Sequence, residues 1–330
     1  MYLAPDKTRW SGRTTDPAAA PDYWYQVIQL LDLSHPIADD HGVHLALLGY
    51  ACEEGVRRNQ GRLGPSAGSG GAAAAGAKEV TKKLGRLANH LGEVCVADAG
   101  TVTCPEQDLE ATQKAFGNRI ARLLAANILP VGIGGGHDIA YAHYLGLREH
   151  LTKQGPGGRR LGILNFDAHF DLRPYPDGPT SGTPFRQILE ADDDLSVIYF
   201  ALGIQRAANP PSLFRAAEQY GVGCVTADAC TATNVPRILE LLGTFLSDVD
   251  HLYVTIDLDG FSSAYAPGVS APSPLGFAPD FLFPVLRYLL SSGKVLSLDL
   301  AEFNPAFDRD GQTAVLAARI INEIALSLKE

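Results

Sequence analysis

The chain has 330 residues, 46% hydrophobic and 19% charged, with a formal net charge of −10, which supports a large buried core and excludes a disordered or low-complexity protein. The acidic balance argues against a nucleic-acid partner; no apolar run reaches the roughly 18 residues of a membrane span and the amino terminus carries no apolar signal segment, so neither secretion nor membrane insertion is expected. Five cysteines (Cys52, Cys95, Cys104, Cys224 and Cys230) without C-x-x-C spacing are expected to be free thiols in a reducing cytoplasm.

Taken in chain order, the first apolar run of β type covers 44–50. A small-residue stretch from Gly64 to Gly76 then reads as a flexible connector, with a lid or a helix start as alternatives. Helical periodicity over 78–91 leads to a second β-type run at 94–97, and a helix over 109–127 to a third at 128–133. A helix over 139–153 precedes the run at 161–166, followed by runs at 197–202 and 223–226. After a helix over 236–246 comes the run at 252–256, then a helix over 279–291, a run at 295–298 and a closing helix over 312–328. Eight strands alternating with helices imply right-handed crossovers and a mostly parallel sheet covered on both faces. A closed eight-stranded barrel is the competing architecture. No Pro-, Ser- or charge-rich linker divides the chain, so a single domain over 1–330 is expected.

Three of these runs end in chemistry. The third closes on Gly134-Gly-Gly-His137-Asp138, the fourth on Asp167-Ala-His169-Phe-Asp171, and the seventh on Asp257-Leu-Asp259. Catalytic groups of open α/β sheets gather at the carboxyl ends of the strands. Four aspartates and two histidines brought together there carry too much negative charge to coexist unless cations neutralise them. If the strand continued past Asp167, Asp171 would lie about 13 Å away, so a shared site requires the chain to turn after His169. Carboxylate and imidazole donors without cysteine suit Mn2+, Fe2+ or Zn2+ better than Ca2+. Two such ions about 3.5 to 4 Å apart would hold a hydroxide ready to attack a planar carbon. The glycines at 134–136 do not form a nucleotide loop, because His137 stands where a third glycine would be needed and no G-K-[ST] follows. His35, His41, His44, His90, His143, His150 and His251 show no ligand spacing and are read as solvated or structural.

These residues, with Asp299-Leu-Ala-Glu302-Phe-Asn-Pro305, resemble the metal motifs of the ureohydrolase superfamily, the arginases and agmatinases. The resemblance implies a three-layer arginase-like α/β fold around the eight-stranded sheet. It implies two Mn2+ per subunit, other divalent metals being chemically feasible: His137, Asp167, Asp171 and Asp257 would hold one, and Asp167, His169, Asp257 and Asp259 the other, with Asp167 and Asp257 bridging. Glu302 would match the glutamate that orients an amidine. The segments Gly55-Val-Arg-Arg-Asn-Gln-Gly-Arg62, Ser181-Gly-Thr-Pro-Phe-Arg186-Gln187, Gly203-Ile-Gln-Arg206 and Ala266-Pro-Gly-Val-Ser-Ala-Pro272 look most like the branch that hydrolyses N-formimidoyl-L-glutamate to L-glutamate and formamide in histidine breakdown. Ser181-Gly-Thr-Pro-Phe185 stands where arginases and agmatinases usually carry a histidine. Protonation of the leaving group would then fall to metal-bound water or Asp171.

Charge points the same way, since a substrate with two carboxylates calls for arginines, whose forks bind carboxylates bidentately. Arg57, Arg58, Arg62, Arg173, Arg186 and Arg206 lie near the motifs. Arg58, Arg62, Arg186 and Arg206 are the leading candidates for substrate contact, with Asn59 as a polar neighbour; Asp171 and Glu302 are the candidate catalytic groups. Hydroxide attack on the formimidoyl carbon would give a tetrahedral intermediate held by both metals. Partners are expected to be a small carboxylate-bearing substrate and further copies of the chain in a homo-oligomer. A guanidine hydrolase of the agmatinase or guanidinobutyrase type, and a metal-dependent binding protein without turnover, are the alternatives.

Overall fold

The computed structural model describes residues 1–13, 16, 20–64, 71–153, 160–191 and 195–329, with the backbone alone for 71–75. Among them, ten strands form one sheet: β1 Tyr2–Leu3, β2 Gln29–Leu30, β3 Leu45–Ala51, β4 Val96–Thr103, β5 Leu129–Gly134, β6 Arg160–Phe166, β7 Ser196–Ile204, β8 Gly223–Thr226, β9 His251–Asp257 and β10 Val295–Ala301. The order is β1-β4-β3-β5-β10-β9-β6-β7-β8, with β2 pairing β4. All pairs are parallel except β1 with β4. The path ends in β1 and β8 and does not close, so the barrel alternative falls. The eight expected strands are all present; β1 and β2, two residues each, are additions too short to leave a periodic signal.

Among the described residues ten α-helices connect them: α1 Trp24–Val27, α2 Glu54–Arg58, α3 Gly71–Gly85, α4 Leu109–Ala125, α5 Ile139–Lys153, α6 Pro184–Leu189, α7 Pro211–Gln219, α8 Val235–Ser247, α9 Pro279–Leu290 and α10 Gln312–Ser327. Side chains on successive strand residues point to opposite faces, and both faces are buried. Leu45 and Leu47 of β3 join one core with Val80, Leu242, Leu282 and Ile321 of α3, α8, α9 and α10. Ala46, Leu48 and Tyr50 of the same strand join the other core with Phe116, Tyr144, Phe185 and Leu213 of α4, α5, α6 and α7. This is why the strands read as continuous apolar runs rather than as alternating ones. Residues 65–70 of the small-residue segment lie outside the described residues; α3 begins at Gly71.

Leu164 lies on β6 in the sheet interior and is fully buried in the first core, whereas Leu241 on α8 is 45% exposed. Leu164→Ala should cost about 2 to 5 kcal/mol through lost burial and a residual cavity. Leu241→Ala should stay within roughly 0.5 kcal/mol. Denaturant unfolding of both variants checks this pair of outcomes.

Candidate metal centre and substrate pocket

Four strands that are neighbours in the sheet, β5, β10, β9 and β6, deliver the candidate residues from their carboxyl ends: His137 after β5, Asp167 to Asp171 after β6, Asp257 and Asp259 at and after β9, and Glu302 after β10. Parallel pairing aligns these ends, so residues distant in sequence meet at one edge. Both acidic motifs then bend in the same way. The His169 N–H donates to Asp167 Oδ1 at 2.7 Å, and the Asp259 N–H donates to Asp257 Oδ1 at 2.8 Å. Each aspartate thus caps the turn that carries the residue two positions on. The turn expected after His169 is present. Asn209 clamps it, accepting from the Phe170 N–H at 3.1 Å and donating to the carbonyls of Ala168 and Gln205 at 2.8 and 2.9 Å. Gly203 permits the close packing beneath: its φ is +104°, and a Cβ there would stand 2.9 Å from the Asp167 carbonyl oxygen. Asp171 (φ +48°) and Glu302 (φ +63°) are themselves left-handed, a conformation that costs energy outside glycine and gathers at functional sites.

The six expected ligands fall into two groups that share Asp167. His137 Nδ1 lies 3.1 Å from Asp167 Oδ2, 2.9 Å from Asp171 Oδ2 and 3.1 Å from Asp257 Oδ2. His169 Nδ1 lies 3.4 Å from Asp167 Oδ1 and 3.3 Å from Asp259 Oδ2. Asp167 therefore offers one oxygen to each group. Asp257 turns one oxygen to His137, and its other oxygen, like Asp167 Oδ1, accepts the backbone N–H two residues on.

The electrostatics ask for cations. Burial pushes the Asp257 carboxyl well above its ordinary value, reinforced by the charges of Asp259 and Asp167, and Asp259 is pushed up to about 6. Burial opposes charge on His137 and His169, yet the surrounding carboxylates pull both imidazoles well above their usual range. Burial also pushes Glu302 up to about 8, helped by the Asp257 charge. Its Oε1 accepts from the His137 N–H at 2.9 Å and its other oxygen from the Ser270 hydroxyl.

A second layer fixes which nitrogen of His137 is the donor atom. Asp299, fully buried on β10 between Gly132 of β5 and Thr255 of β9, accepts from Thr255 Oγ1 at 2.6 Å, from Tyr253 Oη, and from His143 Nδ1 at 2.8 Å. A hydroxyl has one proton. With that proton committed to Asp299, Thr255 Oγ1 can only accept from His137 Nε2, 3.0 Å away. Nε2 thereby carries a proton whatever the charge of the ring, and Nδ1 is turned toward three carboxylate oxygens, where only a shared proton or a metal cation can stand. A cation in that place frees Nδ1 from sharing a proton with three acids, so these residues fit a divalent metal pair. Sequence reasoning assigned no role to Thr255, Asp299 or Asn209; buried polar residues on apolar strands were the available signal for the first two.

A pocket of about 150 Å³ opens over this centre, lined among others by Asn59, His169, Asp171, Arg173, Asp257 and Glu302, a size for a small molecule rather than a dinucleotide. The structure does not bring the four leading arginines to it. Arg58 pairs with Glu54 and Glu110 at 2.8 and 2.7 Å, tying α2 to α4. Arg62 donates to the Val269 carbonyl at 2.9 Å and lies 3.5 Å over the Phe307 ring. Arg186 pairs with Glu190 at 2.8 Å, and Arg206 faces the Phe214 ring at 5.9 Å. Asn59 does line the pocket, as does Arg173.

A sequence profile of the Arginase family matches residues 43–327. The chain is 45% identical to a formimidoylglutamase of Geobacillus kaustophilus, covering 99% of this chain and 97% of that one, and 44% identical to a formimidoylglutamase of Geobacillus thermodenitrificans, covering 100% and 98%. Among solved structures, formimidoylglutamase from Bacillus subtilis superimposes with a TM-score of 0.75 at 21% identity, covering 96% of each chain. Formiminoglutamase from Trypanosoma cruzi, solved with Mn2+2, gives a TM-score of 0.72 at 21% identity over 87% of this chain and 93% of that one. These likenesses carry the three-layer fold.

Two outcomes follow from this geometry. Thr255→Val keeps shape but removes the hydroxyl that fixes the His137 proton, and should weaken divalent-cation affinity by roughly 10- to 100-fold, read by calorimetry on metal-stripped protein. Protons compete with cations for the same carboxylates. Cation affinity should therefore fall as pH drops through the Asp259 value of about 6, and titrations on either side of that pH test it; equal affinities would refute it.

Proposed function

The chain belongs to the arginase family, and from that premise we propose that it hydrolyses N-formimidoyl-L-glutamate to L-glutamate and formamide. The observation that carries the reading is the pair of His and Asp groups joined through Asp167 beneath a small pocket. The whole-length likeness to formimidoylglutamases supports the substrate. The site residues are proposed as His137, Asp167, His169, Asp171, Asp257 and Asp259 for two Mn2+, with Glu302 for the substrate; the manganese in the Trypanosoma cruzi relative supports that metal. When bound, the metal pair supplies an activated water at neutral pH and positive charge near the carbon under attack.

The chain's own residues do the rest. Glu302, held by the His137 backbone N–H and Ser270, offers its carboxylate to the N–H groups of the amidine, which orients the planar carbon toward the floor of the pocket. As water attacks and the carbon turns tetrahedral, Asp171, in the pocket lining, takes the proton the water gives up; the bond to the glutamate nitrogen then breaks, and Asp171 returns that proton to the departing amine, leaving formamide and glutamate. Among the described residues His169 is the only histidine of the lining, which fits a proton route without a further histidine. All five cysteines are free, in keeping with a cytoplasmic location. Among the described residues no helix is long and apolar enough to cross a membrane. The chain is further read as one domain that assembles into homo-oligomers.

Purified protein loaded with Mn2+ and offered formimidoylglutamate, agmatine, arginine and 4-guanidinobutyrate should turn over the first in strong preference. A preference for agmatine or guanidinobutyrate would make it a guanidine hydrolase, and binding without turnover of any of the four would make it a metal-dependent binding protein. Asp167→Asn should lose metal and activity together, since it removes a donor shared by both groups.

A further inference from the structure

Resting on that reading, we propose that Arg173, assisted by Asn59, binds the side-chain carboxylate of the substrate and so decides that the formimidoyl compound accepted is the dicarboxylate. Among the described residues, Arg173 is the only arginine or lysine of the pocket lining, which otherwise contributes four carboxylates, Asp171, Asp257, Asp259 and Glu302. An arginine beside so many acids would ordinarily pair with one. Among the described residues it forms no ion pair, and its side chain donates no hydrogen bond, unlike Arg58, Arg62 and Arg186. Its fork is held apart from the acids on its own chain and is left for an anion from outside.

The surroundings hold it in that state. The Arg173 N–H donates to the Gly182 carbonyl at 3.0 Å. A Cβ on Gly182 would stand 2.8 Å from Arg173 Cδ and 3.0 Å from Asn59 Oδ1, so the bare backbone of Gly182 is what lets both side chains close in on one spot. Thr180 Oγ1 donates to Asn59 Oδ1 at 3.4 Å and accepts from the Gly182 N–H at 3.2 Å. Asn59 thus packs with Arg173 against the same bare backbone, its oxygen held by Thr180. The guanidinium fork, all donors and no acceptor, matches a carboxylate. Arg173 is exposed at the rim while the metal-binding groups are at the floor. The α-carboxylate of the substrate sits on the carbon that bears the reacting nitrogen and must stay near the floor. The side-chain carboxylate, two methylenes further out, is the one that reaches the rim.

The test compares wild type, Arg173→Ala, Arg173→Lys and Gly182→Ala on N-formimidoyl-L-glutamate and on N-formimidoyl-L-alanine, which lacks the side-chain carboxylate. Calorimetric binding of L-glutamate, metal content and melting temperature are measured alongside. Arg173→Ala should raise KM for formimidoylglutamate by roughly ten- to a hundredfold with kcat little changed, and weaken L-glutamate binding in step. It should leave the alanine analogue and the metal content as they are. Lysine should recover only part of the loss, since it lacks the fork, and Gly182→Ala should raise KM in the same substrate-selective way. An unchanged KM in Arg173→Ala, an equal rise on both substrates, or a loss of metal showing that Arg173 only supports Asp171 would each overturn the inference while formimidoylglutamate turnover by the wild type keeps the parent reading intact. A wild-type protein that neither turns over formimidoylglutamate nor binds L-glutamate overturns the parent reading itself, and this inference with it.

Discussion

The mutual repulsion of four buried carboxylates is the constraint around which this molecule is organised. Asp167, Asp171, Asp257 and Asp259 are each at most 9% exposed, and solvent cannot screen charges placed so deep. Three of them crowd one nitrogen of His137. No arrangement of protons satisfies the cluster fully: imidazoles are driven to hold protons against their burial, and Asp257 is driven to keep one against its nature. Divalent cations resolve the conflict at once, replacing shared protons by charge that every oxygen can approach.

The sheet exists to hold this repulsion in place. Four neighbouring parallel strands end at one level, and the two cores that sandwich them leave little freedom to spread. The turns beyond the strands are closed by the acids themselves through backbone N–H groups, so each carboxylate is both a structural cap and a donor toward the centre. Glu302 does the same from the next strand, gripping the His137 backbone while facing the pocket. A site assembled in this way is rigid because its functional groups are also its fasteners.

Much of this was legible from residue order. The central strands appear as apolar runs because both faces are buried, and the acids that follow them announce the site because charge does not end a buried strand without cause. What escaped had physical reasons. Helices α6 and α7 begin at Pro184 and Pro211, where proline fills the first helical position although it reads as a breaker in the sequence. The helix expected over 78–91 instead runs from Gly71 to Gly85: Leu87 and Leu91 keep the apolar spacing but pack against the core from a turn, where the Ala88 backbone bridges Tyr23. The arginines show a similar limit. Proximity in sequence to the motifs places Arg58 and Arg186 on helices beside Glu54, Glu110 and Glu190, which capture them; only the fold shows that Arg173 escapes capture.

The proton order running from Asp299 through Thr255 to His137 has a polarity, and polarity can be inverted. If position 299 were occupied by a group that donates rather than accepts, the Thr255 hydroxyl would turn round and offer its proton to His137 Nε2, sending the ring's own proton to Nδ1. All six donor residues would remain, at the same positions and with the same spacing, yet one of them would present a hydrogen where a cation needs a lone pair. The integrity of such a centre is therefore encoded one layer behind the residues that define its motif.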